Sequence, residues 1–369
     1  MDQKWQEMAF SACKVRGSVL CYRKMEKRNM EKIDPMLAEL RAELAAGKYP
    51  ADAHFPSEYE LAERFGVNKK TANKAVSLLV TEGWLYRGRR GQGTLVASQQ
   101  PFPRGQICFL FVLKNMYQAD FLQGAQAGAL EHDYLLSYCS PPASLLPNFL
   151  KRLENSPVRG ILSGAYGDLN TKLPTVYVDR VPKASSDAVY TVTCNNYQGG
   201  YEMMKQLLER GHRNIVIFFR RGLMPDRLTG FRDAMLEAGI SDWEKRTFFW
   251  LDESRYEAQK NLRQALKKYT GFTAIACGSD PQMFLTADAL DQQGIDWRNR
   301  IALTGFGNLL GKDPVLPVAS VDQHPYNLGY AAAETLIALI EGLGDDIPYQ
   351  TLIDVELVNT GNIPSRQPR

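Results

Sequence analysis

Between Ser57 and Thr94 the chain gathers residue types that neutralise phosphate and read a base edge. Lys69, Lys70, Thr71, Asn73 and Lys74 sit on one candidate helix, and Arg87, Arg89 and Arg90 crowd a turn that ends in Gln92-Gly93-Thr94. From Arg64 to Ala97 there are seven Lys or Arg and one acid, Glu82. Lysine and arginine bind duplex DNA by displacing condensed counterions, whereas an asparagine amide pairs bidentately with adenine. The expected DNA-facing set is therefore Ser57, Lys69, Lys70, Thr71, Asn73, Lys74, Arg87, Arg89, Arg90, Gln92, Gly93 and Thr94.

Two helices and a hairpin must hold these groups. Ser57 and Glu60 have capping-box spacing, and Leu61, Ala62 and Phe65 give the helix they start an apolar stripe. Gly66 permits a left-handed stop, Val67 tucks under the turn and Asn68 caps the next helix, which is helix-turn-helix spacing. In that second helix Ala72, Ala75, Val76, Leu79 and Val80 form the buried face, leaving Lys69, Lys70, Asn73, Lys74 and Ser77 outward. Trp84–Tyr86 and Thr94–Val96 read as two strands joined by the Gly- and Arg-rich turn. Upstream, Ile33, Leu37, Leu40 and Leu44 describe an amphipathic helix over about 31–46, ended by Gly47.

PSEYELAERFGV and GQGTLVA resemble the GntR family of bacterial winged-helix regulators over roughly 32–97. The resemblance implies a helix in the major groove of operator DNA and a β-tip beside it. Tyr59 stands where the family usually has arginine, and Asn68-Lys69-Lys70-Thr71-Ala72-Asn73 replaces Ser-Arg-x-Thr-Val-Arg, so the operator is not borrowed from relatives. A rival reading makes the winged segment a protein-interaction domain on a plain ligand-binding module.

Composition bounds the remainder. The 369 residues, 44% hydrophobic with net charge +3, suffice for two or three domains. No span suits a bilayer and the N-terminus lacks the apolar core of a secretory signal peptide, so a cytoplasmic protein is expected. Six scattered cysteines and four histidines show neither CxxC nor HExxH spacing, so no metal or cofactor is expected. The chain also lacks GxSxG, a P-loop and, in Asn195–Gly200, the GxGxxG fingerprint, so no catalytic residues are assigned and an enzyme is not expected. Residues 1–28, with seven Lys or Arg against three acids, form a basic extension in which Met25 offers an alternative start, as does Met30 just beyond it.

Beyond a polar linker at 98–105 the periodicity changes to alternating strands and helices. Ile107–Val112, Gly160–Leu162, Thr175–Val178, Ile215–Phe219, Ala274–Ala276 and Ile301–Thr304 are candidate strands. Helices are expected near 121–132, 197–210, 227–238, 255–268 and 282–293. The fold class is α/β: an N-terminal winged helix-turn-helix (29–97) followed by a doubly wound, two-lobed Rossmann-like sensor. PTVYVDR, RLTGFRDAMLEAGI, TAIACGSDPQM, IALTGFGN and SVDQHPYNLGYAAAETLIALIEG resemble the effector domain of LacI-type repressors, itself similar to periplasmic binding proteins. Arabinose-type repressors pair the same two modules.

That second resemblance implies a sensor over 106–362, with an N-lobe of about 106–192 plus 324–346, a C-lobe of about 193–322 plus 347–362, and a tail at 363–369. Crossovers would fall near Thr193, Gln323 and Ile347. It also implies a sugar-like effector between the lobes, touched by Tyr117, Asp179, Arg221, Arg227, Trp250, Ser279, Asn308 and Gln323, with Trp250 as the stacking plate. Ser279-Asp280 and Gly307-Asn308 depart from the family's Asn-Asp and paired acids, so the acid that clamps a sugar's hydroxyl pair is missing. A homodimer using both lobes, including the helix at about 326–340, completes the expectation.

Overall fold

The computed structural model describes residues 33–89, 91–98, 102–180, 182, 189–222, 224–311, 315–343 and 347–366. The basic extension and Arg90 lie outside them. The chain divides into two compact units, Met1–Arg104 and Gly105–Arg369.

In the first unit, α1 (33–45) buries Ile33, Met36, Leu37, Leu40 and Leu44 against Leu61, Ala72, Ala75, Val76 and Leu79. Those partners come from α2 (Glu58–Phe65) and α3 (Lys69–Thr81), whose apolar spacing leaves one face for the core. Ser57 accepts from the Glu60 amide and the Glu60 side chain accepts from the Ser57 amide, closing the capping box. Gly66 adopts φ +59°, where a side chain would be strained, and lets α2 end abruptly. Strands β1 (Leu85–Arg87) and β2 (Thr94–Val96) pair antiparallel, Leu85 opposite Val96. The first begins one residue later than the sequence pattern suggests, because Trp84 still donates its amide to Leu79 at the end of α3.

The second unit carries two parallel sheets. The N-lobe sheet is built from β3 (Gly105–Leu110), β4 (Tyr134–Cys139), β5 (Val158–Ser163), β6 (Thr175–Val178), β7 (Tyr190–Cys194) and β13 (Gln350–Ile353), in the order β13-β7-β6-β5-β3-β4. The C-lobe sheet is built from β8 (Ile215–Arg220), β9 (Thr247–Trp250), β10 (Ala274–Cys277) and β11 (Ala302–Thr304), in the order β11-β10-β8-β9. A short antiparallel pair, β12 (Ser320–Asp322) and β14 (Glu356–Val358), completes the strands. Central strands such as Ile107–Leu110 and Ile215–Phe219 are buried throughout, as sheets covered by helices on both faces require.

Tight helix pairs set the lobes. In the N-lobe, α4 (Met116–Glu131) meets α11 (Pro325–Ile340) so closely that a Cβ on Gly124 would stand 1.9 Å from the Tyr326 carbonyl oxygen. In the C-lobe, α6 (Asn196–Glu209) meets α7 (Pro225–Glu237), and a Cβ on Gly200 would stand 2.3 Å from the Arg227 carbonyl oxygen. Gly200 thus serves helix packing beside Arg227, while a Cβ on Gly199 would crowd the Phe306 ring at 2.8 Å. The outer layer adds α5 (Leu146–Leu153), α8 (Trp243–Arg246), α9 (Arg255–Lys268) and α10 (Asp280–Gln292).

Two expectations about boundaries are corrected. The third crossover falls after Ile353 rather than near Ile347, because β13 pairs in parallel with β7 and covers backbone groups that an edge would leave open. The first lobe therefore keeps Thr193 and Cys194 as well as 350–353. The stretch from Ile363 to Arg366 is docked rather than a loose tail. Ile363 is buried, His212 Nε2 lies 2.8 Å from the Pro364 carbonyl, and the Arg366 amide donates to the Arg210 carbonyl at 2.7 Å.

Candidate nucleic-acid interface and effector cleft

On the first unit, the outward face of α3 presents Lys69, Lys70, Asn73 and Lys74 to solvent, and Arg87, Arg89, Gln92 and Gly93 are exposed on the hairpin. Helix periodicity accounts for the separation, since Ala72, Ala75, Val76 and Leu79 are needed inside. Two of the expected residues are buried, and a third has its hydroxyl engaged within the helix cap. Thr71 is buried, its hydroxyl donating to Asn68 Oδ1 at 3.0 Å within the helix cap. Thr94 is buried and accepts from Arg87 Nη1 at 2.6 Å. Ser57 is exposed, but its hydroxyl is engaged by the Glu60 amide at 3.3 Å.

Sequence reasoning missed Glu58, which the fold places among the cations. Its Oε1 accepts from Asn73 Nδ2 at 3.3 Å and from Arg87 Nη1 at 3.1 Å, tying the candidate base reader to the hairpin. Partial burial works against ionisation of Glu58, but hydrogen bonds from its own backbone, Arg87 and Asn73 outweigh it and hold the carboxyl below its usual range. Tyr59 lies under the Lys69 ammonium, 3.6 Å from the ring centroid. A helix pattern reports which residues point outward, and it does not report that an acid from the neighbouring helix will reach them.

On the second unit, a cleft of about 1090 Å³ opens at the carboxyl ends of the two parallel sheets. Tyr117, Asp179, Arg227, Ser279 and Gln323 line it. Asp179 follows β6 directly, in the left-handed region at φ +48°. Its Oδ2 accepts from the Tyr117 hydroxyl at 3.1 Å, while its Oδ1 is shut off from solvent with no hydrogen-bond partner among the described residues. Burial raises its pKa, opposed by Arg227, the Tyr117 hydrogen bond and Arg180. An enclosed, unpartnered carboxylate oxygen on a cleft wall suits a ligand hydroxyl.

Arg227 is fixed before any ligand arrives. Its Nε and Nη2 donate to Asn196 Oδ1 at 3.1 and 2.6 Å, Nη1 to the Gly278 carbonyl at 2.6 Å and Nη2 to Gln323 Oε1 at 3.3 Å. The guanidinium also lies 3.4 Å from the Phe306 ring centroid. Gln323 Oε1 accepts in addition from the Cys194 thiol at 3.3 Å, so one crossover residue links β7 and α7. Burial lowers the Arg227 pKa, opposed by Cys194, Asp179 and Tyr117, which places these groups in one electrostatic cluster across the lobes.

Trp250, Arg221 and Asn308 do not line the cleft. Trp250 is wholly buried in the layer under α9 and α10, 5.8 Å from the Phe218 ring, because strand alternation puts Phe248 and Trp250 on the inner face of β9. The cleft position is taken by Glu253 in the loop that follows. Arg221 turns to Phe249, 5.1 Å from its ring, in a separate groove, and its neighbour Arg220 faces the cleft. Asn308 is pinned to β12, Nδ2 donating to Asp322 Oδ2 at 2.7 Å and its amide to Ser320 Oγ at 3.1 Å. Lys114, Asp168, Arg180, Arg220, Glu253 and Phe306 are among the cleft residues that pattern reading passed over.

Known proteins agree with both halves of this architecture. Residues 35–96 match the model of bacterial regulatory proteins of the gntR family, and residues 204–359 match that of the periplasmic binding protein-like domain. The arabinose metabolism transcriptional repressor of Geobacillus stearothermophilus is 25% identical over 346 residues, covering 86% of this chain and 93% of the relative. The ribose operon repressor of Haemophilus influenzae is 25% identical over 256 residues, 65% of this chain and 74% of its own. Among solved structures, the transcriptional regulator CelR in complex with cellobiose superimposes with TM-score 0.62 at 17% identity, over 82% of this chain and 98% of its own, a likeness of fold. The chain therefore carries a regulatory domain of the gntR family over residues 35–96 and a periplasmic binding protein-like domain over residues 204–359.

Proposed function

We propose that the protein is a transcriptional repressor that binds operator DNA through α3 and the β1–β2 hairpin and is controlled by a sugar-like effector held between the lobes. The observation that carries this reading is the pairing, in one chain, of an exposed cationic helix with a cleft whose wall holds an enclosed carboxylate oxygen without a partner. Relatives named as arabinose and ribose repressors support it. No described helix is long and apolar enough to cross a membrane, and the protein is assigned to the cytoplasm with its operator. The assignment includes no catalytic step.

The working unit is a homodimer on a palindromic operator, since one winged helix reaches too few base edges to find a site in a genome. Effector binding favours a closed arrangement of the lobes by its differential affinity for that state and releases the operator. Fluorescence anisotropy of the full chain on DNA upstream of its own and adjacent genes, with and without a sugar panel, tests the reading. Tight, sequence-selective binding that one sugar weakens is the expected result. Failure to prefer those duplexes over random DNA overturns it.

A further inference from the structure

We propose that the effector is an anionic sugar, its hydroxyls held by Asp179 and its carboxylate or phosphate by Arg220. The inference rests on the repressor reading above and sharpens the nature of its effector. The two lobes offer opposite kinds of unfinished hydrogen bonding. On the N-lobe wall, Asp179 Oδ1 is an enclosed acceptor without a donor. On the C-lobe wall, Arg220 Nε is an enclosed donor without an acceptor among the described residues.

Arg220 is the last residue of β8, so its side chain leaves the sheet at the carboxyl end where the cleft opens. Among the described residues its ionic neighbour is Glu253, whose Oε1 stands 3.6 Å from Nε, beyond hydrogen-bond reach. That oxygen already accepts from the Ser279 hydroxyl at 3.1 Å. Glu253 therefore aligns Arg220 and leaves its donor open. Arg227, the other C-lobe cation, is committed to Asn196, Gly278 and Gln323 and has little left to offer an anion. The start of α7 adds positive potential, because Met224 and Pro225 line the cleft and no side chain caps that helix. Lys114 and Arg180 supply two further cations on the opposite wall, against Asp168 and Asp179. A neutral sugar satisfies the Asp179 end and leaves Arg220 facing only Glu253. An added carboxylate or phosphate completes both ends.

The test is calorimetric titration of the full chain with hexuronates, aldonates and pentose and hexose phosphates beside their neutral parents. It is repeated on Arg220→Gln, Arg220→Lys and Arg221→Gln, the last replacing a cation outside the cleft. An anionic member is expected to bind at least tenfold more tightly than its neutral parent. Arg220→Gln should weaken it tenfold to a hundredfold, Arg220→Lys should keep most of the preference, and Arg221→Gln should keep all of it. Whether uronates or phosphates win identifies the anionic group, and a melting curve for each variant checks that it folds. A neutral sugar that binds as well as its anionic derivatives, or a preference that survives Arg220→Gln, overturns the proposal. So does failure of every anionic member to bind. Operator binding, measured on the same preparations, reads the repressor assignment separately.

Discussion

The candidate DNA surface and the effector cleft are built in opposite ways. Lys69, Lys70, Asn73 and Lys74 come from a single turn-and-a-bit of α3, with their exposure dictated by the apolar residues between them. The cleft is assembled from strand ends and helix starts far apart in sequence, with Tyr117 at α4, Asp179 after β6, Arg220 ending β8 and Gln323 at a crossover. In the first case polar groups face water and remain available. In the second they are enclosed, so each must be paired within the protein or left for a ligand. A substitution on α3 should remove one DNA-facing group and little else, whereas one in the cleft should alter ionisation, packing and binding together.

The largest expected effect follows from that contrast. Asp179→Asn should reduce effector affinity about a hundredfold, since a charge-assisted hydrogen bond disappears from a dry wall. It should also raise the melting temperature at neutral pH. Burial raises the Asp179 pKa in the folded protein, so stability falls as pH climbs from the ordinary carboxylate value to the folded one, and asparagine has no such cost. The stabilisation should fade toward pH 4, near the ordinary carboxylate value, because the cost of burial falls on the charged form. Melting curves at both pH values check this, and a less stable variant at pH 7 would break the account of the cleft.

Replacing Lys69 and Lys70 together with alanine should weaken binding to all duplexes alike and shallow the salt dependence by about one unit for each phosphate left without its cation. Anisotropy titrations at several salt concentrations measure the slope. If operator affinity does not move, α3 is not the helix that meets DNA.

Asn73→Ala should cost about 1–3 kcal/mol of discrimination at one base pair. Glu58→Ala, which frees both Asn73 and Arg87, should instead raise affinity for random DNA while lowering selectivity. Competition between operator and scrambled duplex separates the two. Equal behaviour of the variants would show that the Glu58 tether has no part in recognition.

The smallest effect is one of acid stability. Arg64, with Lys48 and Tyr49, holds the Glu43 carboxyl down at about 2, from an ordinary value near 4.5. A depressed acid stabilises the fold above its unfolded value and loses that contribution as pH falls through its folded one. Arg64→Gln should therefore flatten the decline in melting temperature below about pH 4.5. An unchanged acid profile would reduce the cluster to a screened surface pair.

Trp250 shows where pattern reading stops. An aromatic residue at the end of a strand near a cleft is equally compatible with a stacking plate and with core, and β9 turns it inward beside Phe218. Arg220 and Arg221 are adjacent arginines, and only the strand's exit decides that the first meets the cleft. Thr71 and Thr94 lie within the right segments, but burial removes them from the exposed face. Of the strands that pattern reading passed over, β4, β9 and β13 lie at sheet edges, where neighbours rather than periodicity settle the conformation, whereas β7 is an interior strand between β13 and β6.

The amino-acid order by itself determined the two-module plan, the capping box at Ser57, the buried and exposed faces of α3, and the parallel α/β character of the sensor. These depend on interactions within a few residues, where a helix or strand period is sufficient. Only tertiary structure decided that Glu58 reaches Asn73 and Arg87, that β13 joins the first lobe's sheet, and that Asp179 Oδ1 and Arg220 Nε, on residues lining the cleft, are enclosed without hydrogen-bond partners among the described residues. Each of these depends on segments distant in sequence meeting at a particular angle, and on how much water their meeting excludes.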